Sequence, residues 1–170
     1  MLLQSENIKL RKIEPSDVMF LYLVENQDYN MSGGVVHNPL SQKDLLDYVN
    51  NSTADIYKDG QLRLIIEQKS DNSTIGIIDL FNLDIFNSKV ELGIYIVESE
   101  RRKHNATVAI GLIEDYVFRF LKIRLICAFV ASKNSASIEL FRSNNYKYSE
   151  PLPHFLRDDN VVYFYKESEQ

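Results

Sequence analysis

Val90 to Thr107 reads Val-Glu-Leu-Gly-Ile-Tyr-Ile-Val-Glu-Ser-Glu-Arg-Arg-Lys-His-Asn-Ala-Thr. A strand runs into a short basic loop, and the loop opens a long amphipathic helix. A fold built around this unit carries sheet and helix in direct succession. The unit also suits an anion. Backbone N–H groups at a helix start lack intrahelical partners, and the helix dipole is positive there. Arg101, Arg102 and Lys103 sit at the mouth of the loop. Together these features suit a pyrophosphate.

The rest of the chain alternates strands with helices. Ile8 to Ile13 alternates apolar and basic residues, as a half-exposed strand does. Glu14-Pro15-Ser16-Asp17 opens a helix with Pro early and acids in its first turn, and Val18, Leu21 and Tyr22 form its apolar face. Residues 26 to 39 hold Gly33-Gly34 and Asn38-Pro39 and read as a loop long enough to be functional. Ser41 is the expected N-cap of a second helix through Leu45, Leu46 and Val49. Leu62 to Gln68 and Thr74 to Leu80 read as a hairpin, and Lys89 to Val97 as a third strand. Ala109, Leu112, Ile113, Tyr116, Val117 and Phe120 stripe a helix from Ala106 to Leu121. A strand over Arg124 to Ala131, a short helix over Ser135 to Ser143 and a strand over Val161 to Lys166 follow. The order is β-α-α-β-β-β-α-β-α-β-β: a mixed sheet with helices, in one domain over residues 1–170.

The 170 residues suffice for one sizeable core. A net charge of −5 argues against a nucleic-acid partner, which requires a basic face. The single cysteine, Cys127, excludes an internal disulfide and lies in an apolar run that marks it as a buried, inert thiol. No segment approaches membrane-spanning length, so a cytoplasmic protein with no membrane partner is expected. His37, His104 and His154 offer no metal-ligand spacing, and no metal is expected.

This order resembles the GNAT superfamily of N-acetyltransferases over nearly the whole chain. The likeness is closest to the branch of ribosomal-protein N-terminal and spermidine/spermine acetyltransferases. Glu91-Leu92-Gly93-Ile94-Tyr95-Ile96 resembles the family's fourth strand. Arg101-Arg102-Lys103-His104-Asn105-Ala106 falls on its pyrophosphate loop, Gln/Arg-x-x-Gly-x-Gly/Ala. Asn134 to Phe141 falls on its Asn-x-x-Ser-x-x-Leu-Tyr-like helix, and the Ile75 to Leu80 strand is also similar.

The resemblance implies a mixed, mostly antiparallel sheet flanked by helices, its fourth and fifth strands splayed. It implies acetyl-coenzyme A as donor and an amine as acceptor: a polyamine, a protein N-terminus or another small amine. The pantetheine arm would pair with the backbone of Ile94, Tyr95 and Ile96 like an added strand. The pyrophosphate would sit among Arg101, Arg102, Lys103, His104, Asn105, Ala106 and Thr107. Asn134 would contact the pantetheine, with Phe141 and Arg142 beside the thioester.

The chain departs from the pattern twice. His104 stands where the loop has glycine, which tolerates positive φ. Phe141 stands where many relatives carry a tyrosine, the supposed proton donor to the departing thiolate. A thiol of pKa about 8.5 leaves well enough without help. These departures sustain an alternative: a non-catalytic domain that binds acetyl-coenzyme A or a partner protein.

An alkylammonium of pKa about 10.4 must lose a proton before it attacks, so a base is needed. Glu91, sharing a strand face with Gly93 and Tyr95, is the candidate, with Asp79 and Asp84 as rivals. Glu25 and Asp28 could attract a cation, and Tyr29 and Tyr48 could line an acceptor cleft. Asn134 could equally cap its helix, and Tyr163-Phe164-Tyr165 reads as a core strand. No motif encodes an oligomeric state; a homodimer is the commonest arrangement for such chains.

Overall fold

The computed structural model describes residues 3–26, 39–150 and 160–168. Seven strands form one sheet: β1 (Ile8–Lys12), β2 (Leu62–Gln68), β3 (Thr74–Asp84), β4 (Lys89–Ile96), β5 (Leu125–Ala131), β6 (Lys147–Tyr148) and β7 (Val161–Glu167). Their spatial order is β1-β2-β3-β4-β5-β7-β6. Every neighbouring pair is antiparallel except β4 and β5. The helices are α1 (Val18–Glu25), α2 (Gln42–Asn51), α3 (Ile56–Asp59), α4 (Asn105–Asp115) and α5 (Ser135–Ser143). This is the mixed, mostly antiparallel α/β architecture expected from the sequence.

Two apolar layers cover the sheet. On one face Leu64, Ile66, Ile78, Leu80, Val90 and Leu92 meet Ala109, Ile110 and Ile113 of α4. On the other, Ile65 and Ile77 meet Leu21 of α1 and Leu45 and Val49 of α2. β2 is therefore covered on both sides, which explains its near-continuous apolar run rather than a clean alternation. Burying a side chain such as Ile65 stabilises the fold by about 1.5–3 kcal/mol.

Local chemistry sets the element ends. Ser41 caps α2 as expected: its Oγ accepts from the Asp44 N–H at 3.1 Å, and the Asp44 carboxylate accepts from the Ser41 N–H at 3.0 Å. Four-residue α3 is too short to show periodicity; Asp55 caps it, and Gly60 ends it at φ +72°. β6 is also too short to be delimited from pattern. The long helix begins at Asn105 and keeps α winding only to Asp115, not to Leu121. Tyr116 to Phe120 widens to a π turn, with the Leu121 N–H bonded to the Tyr116 carbonyl at 2.9 Å. The apolar stripe continues through that turn, so periodicity alone does not separate the two windings. Among the described residues no helix is long and apolar enough to cross a membrane.

Candidate active site

β4 and β5 run side by side for a short distance only. The register pairs Lys89 with Leu125, Val90 with Ile126 and Glu91 with Cys127, and then stops. Beyond that point β4 continues to Ile96 against β3 alone, and β5 continues to Ala131 against β7 alone. Among the described residues no strand fills the gap. This V-shaped parting is the splay anticipated for the fourth and fifth strands.

Gly76 helps shape the β4 side of the gap. A Cβ there would lie 2.2 Å from the Tyr95 carbonyl oxygen, so a side chain on β3 would push β4 out of line. Ile94 and Ile96 belong to the α4 face of the sheet. Glu91, Gly93 and Tyr95 alternate onto the opposite face, toward α1 and α2.

The basic loop connects β4 to α4. Arg102 and His104 both take left-handed backbone, at φ +61° and +62°, and Lys103 between them keeps a negative φ. Such alternation turns successive N–H groups toward one side, the geometry of an anion-binding nest. No side chain caps the first turn of α4, formed by Asn105, Ala106 and Thr107. His104 therefore adopts the conformation for which glycine is suited, despite its Cβ. Histidine is among the side chains that enter this region more readily than most.

The cations of the loop have separate tasks. Arg101 turns back along the strand: its Nε donates to the Ile96 carbonyl at 3.0 Å, and its guanidinium lies 5.9 Å from the Tyr95 ring centroid. It braces the end of β4 and occupies one backbone acceptor assigned from sequence to the pantetheine. Lys103 pairs with Glu100 at 2.8 Å. Arg102 is exposed.

α5 closes the site from the other side. The Asn144 amide reaches Thr107 Oγ1 of α4 at 3.5 Å, bringing the end of α5 to the start of α4. Asn134 caps α5, its Oδ1 accepting from the Ser137 N–H at 3.1 Å. Phe141 is buried, stacked 5.3 Å from Phe164 and edge-on to Tyr146 at 5.0 Å. Arg142 is exposed and lies 4.4 Å over the Tyr148 ring. The structure thus gathers the loop, the start of α4 and the end of α5. It gives Arg101, Asn134 and Phe141 clear packing or capping roles of their own.

The three candidate carboxylates differ sharply. Asp79 pairs with Arg63 through Nε and Nη2, both at 2.9 Å, and Arg63 also holds Glu25 at 2.6 Å. Burial pushes the Asp79 carboxyl above its ordinary range, against the pull of Arg63. The Tyr48 ring flanks the same guanidinium at 5.9 Å. Asp84 is tied into a turn by Asn87, whose side-chain amide donates at 2.6 Å and lowers its pKa. The Glu91 side chain makes no hydrogen bond or ion pair with another described residue, and Glu91 stands in the last β4–β5 pair, at the apex of the V. Asp28, Tyr29, His37 and His154 lie outside the described residues.

Sequence reading missed the β5 partner of Glu91 and a tyrosine on the same sheet face. Cys127 is fully buried, as expected, but it forms the other half of the last β4–β5 pair. Tyr163 lies on the same sheet face, and its ring sits 5.0 Å from Phe129. Cross-strand register sets both placements, Cys127 opposite Glu91 and Tyr163 opposite Phe129, and no local motif records it. Among the described residues no group of three or more His, Cys, Asp or Glu side chains could hold a metal ion.

Comparison with known proteins agrees with this geometry. Residues 7–147 match the family model described as an acetyltransferase (GNAT) domain. The spermidine N(1)-acetyltransferase of Vibrio cholerae serotype O1 is 24% identical over 137 residues, covering 81% of this chain and 77% of the relative. The crystal structure of spermidine N-acetyltransferase from Vibrio cholerae in complex with CoA and spermine superposes with a TM-score of 0.82 at 22% identity, covering 96% of both chains. A candidate ribosomal-protein-serine acetyltransferase from Vibrio cholerae gives 0.78 at 12% identity, covering 99% of this chain and 98% of the other. The structural likenesses establish the fold, and the family match spans most of the sequence. The chain belongs to the GNAT family of acetyltransferases.

Proposed function

We propose that this acetyltransferase moves an acetyl group from acetyl-coenzyme A to a primary amine, with Glu91 as the base. The parting of β4 and β5 at Glu91 and Cys127 carries this reading. It opens a slot beside β4, and the nest and uncapped helix start of the basic loop lie at the far end of that strand. Slot and nest suit an extended arm that ends in a pyrophosphate, which fits coenzyme A. Acetyl-coenzyme A supplies the activated acetyl group.

This chain would contribute position, polarisation and proton removal. Backbone N–H groups of Asn105 to Thr107 would hold the pyrophosphate, and β4 backbone in the slot would align the thioester. A backbone N–H of β4 aimed at the carbonyl oxygen would stabilise the negative charge that develops there. Glu91 would take the ammonium proton, directly or through one water, and the neutral amine would then attack the acetyl carbon. The thiolate leaves without a proton from Phe141, which has none to give.

The acceptor is read as a small cationic amine, with a polyamine first among the candidates. The spermidine acetyltransferase relatives support this. So does the cluster of Glu25 and Asp79 on the Glu91 face, where two carboxylates outnumber the single Arg63. A protein N-terminus and other small amines complete the test set.

A thiol-release assay with acetyl-coenzyme A across polyamines, N-terminal peptides and simple amines tests the reading. Turnover with a primary amine is expected. Binding of acetyl-coenzyme A without turnover on any amine would instead establish a non-catalytic binding domain. Absence of binding would overturn both readings.

A further inference from the structure

Gly93 lies on the Glu91 face of β4, and the fold itself does not require glycine there. Glycine inside a strand gives up packing and chain entropy, and it often marks a bend, a bulge or the close approach of a ligand or another backbone. Gly93 sits within β4, directly opposite Asp79 of β3. Gly60, not Gly93, is the described glycine with a positive φ. The register break between β3 and β4 lies elsewhere, between Phe81 and Asp84. No described backbone presses on Gly93 either. Among the described residues, a Cβ there would meet only side chains of β3: the Phe81 ring at 3.3 Å and the Asp79 Cβ at 3.8 Å. Gly76 is the contrast, since a Cβ there would strike the Tyr95 carbonyl oxygen. For Gly93 the remaining reason is a ligand.

The place of Gly93 narrows what that ligand is. Glu91 and Cys127 form the last β4–β5 pair, so Gly93 is the first residue of its face beyond the parting. It is only half-buried. Glu91 and Tyr95 stand on the same face, each about 6–7 Å away along the strand. The bare backbone between them is a strip one side chain wide that starts at the carboxylate. Toward β3 the Phe81 ring walls the strip, and Phe81 is the direct partner of Glu91. Toward β5 the strip opens on the slot read above as the place of the thioester.

We propose that Gly93 determines acceptor specificity: its strip receives the carbon that carries the amine, and that carbon must be unbranched. With the nitrogen at Glu91 and its carbon over Gly93, a substituent on that carbon has two ways to point. One is into Phe81 and the other is into the thioester, and neither leaves room for it. The substrate class is therefore an amine on a methylene group, as at the ends of diamines and polyamines. Protein N-termini other than glycine, and amino sugars, carry the amine on a branched carbon and are disfavoured. This inference rests on the amine-acetylating activity proposed above and selects among its acceptors.

Butane-1,3-diamine tests it, because one molecule offers an unbranched and a branched amine in direct competition. The two acetylated products are measured for the parent, Gly93→Ala and Phe81→Leu, and against uncatalysed acetylation by acetic anhydride. The parent should favour the unbranched end by at least about tenfold more than the uncatalysed reaction does, the effect of one misplaced methyl group. Gly93→Ala places such a methyl in the strip and should lower kcat/KM for the unbranched end by about tenfold or more. Its acetyl-coenzyme A affinity should stay within about twofold, since the donor lies in the slot. Phe81→Leu withdraws the wall and should raise the share of branched product. A parent ratio equal to the uncatalysed one, parental kcat/KM in Gly93→Ala, or an unchanged ratio in Phe81→Leu would each overturn the specificity role while the acetyltransferase reading stands. Loss of acetyl-coenzyme A affinity in Gly93→Ala would overturn it too, giving the strip to the donor. A parent that acetylates no amine would overturn that reading, and this role with it.

Discussion

Glu91 and Cys127 are the last pair at which β4 and β5 remain side by side. One residue further along, the strands no longer share hydrogen bonds, and the sheet opens beside a carboxylate. An ionisable group is thereby delivered to a gap in backbone pairing. The same parting leaves room for an extended ligand.

Glu91→Gln tests that placement. The substitution keeps size and hydrogen-bonding capacity but removes the base. Turnover should fall by roughly 10²–10⁴-fold, with acetyl-coenzyme A affinity nearly unchanged. The variant should recover partly at high pH, where more of the amine is already neutral. Steady-state kinetics from pH 6 to 10, paired with calorimetry, gives both quantities. Parental turnover with an unchanged pH profile would leave Glu91 as an ordinary strand carboxylate.

His104→Gly probes the loop. A non-glycine residue in left-handed backbone costs about 1–2 kcal/mol, part of which glycine gives back through the freedom of its unfolded chain. A net gain of about 1 kcal/mol should raise the melting temperature by roughly 2–4 °C in a chain of this size. Coenzyme A should bind as tightly or more tightly, because the nest acts through backbone N–H groups. Weaker binding with the fold intact would show that the imidazole itself holds a phosphate.

The strand–loop–helix unit was legible because it is local: Lys89 to Thr107 carries its own periodicity and its own charge. Helix starts were legible for the same reason, as Ser41 shows. What depends on register was hidden. Arg63 and Asp79 face each other directly across β2 and β3, yet they are 16 residues apart, and nothing in either segment names the other. The pairing of Cys127 with Glu91 is more remote still. Asn134 has a different difficulty, since a helix cap and a cofactor contact use the same residue at the same position. The conformation of His104 was foreseen only as a question. Its φ of +62° shows the histidine taking the left-handed backbone that glycine would favour.

Arg101 and Lys103 should separate when changed singly. Arg101→Ala removes a brace on Ile96 and Tyr95 and should lower the melting temperature more than Lys103→Ala. The Lys103–Glu100 pair is largely exposed on the lysine side and contributes about 0–1 kcal/mol. Lys103→Ala should instead weaken coenzyme A binding at low salt and flatten its salt dependence, because the lysine can exchange Glu100 for phosphate. Melting curves and calorimetry at two ionic strengths decide the matter. Equal binding by parent and Lys103→Ala at low salt would reduce the lysine to a surface ion pair.

A last prediction concerns acid stability and rests on Glu67. The side chain is buried where β1 meets β2, bonded to Lys9 at 2.7 Å and to the Arg11 guanidinium, which also grips Asp17 through two bonds of 2.7 and 2.8 Å. Burial alone would raise its pKa, but the bonds from Lys9 and Arg11 win and hold it below the ordinary 4.5. A carboxyl with a depressed folded pKa lends stability that is complete above its unfolded value and is lost as pH falls below it. The parent should therefore lose stability through this group from about pH 5 downward. Glu67→Gln removes the charge but not the shape. It should cost roughly 1.5–3 kcal/mol at pH 7, the usual worth of a hydrogen bond to a charged group. Its acid limb should be flatter, so the two curves converge at low pH, where Glu67 of the parent is protonated and resembles the amide. Urea unfolding from pH 2.5 to 7 measures the difference directly. Parallel curves over that whole range would show that the network stabilises the fold by packing and not by the charge of Glu67.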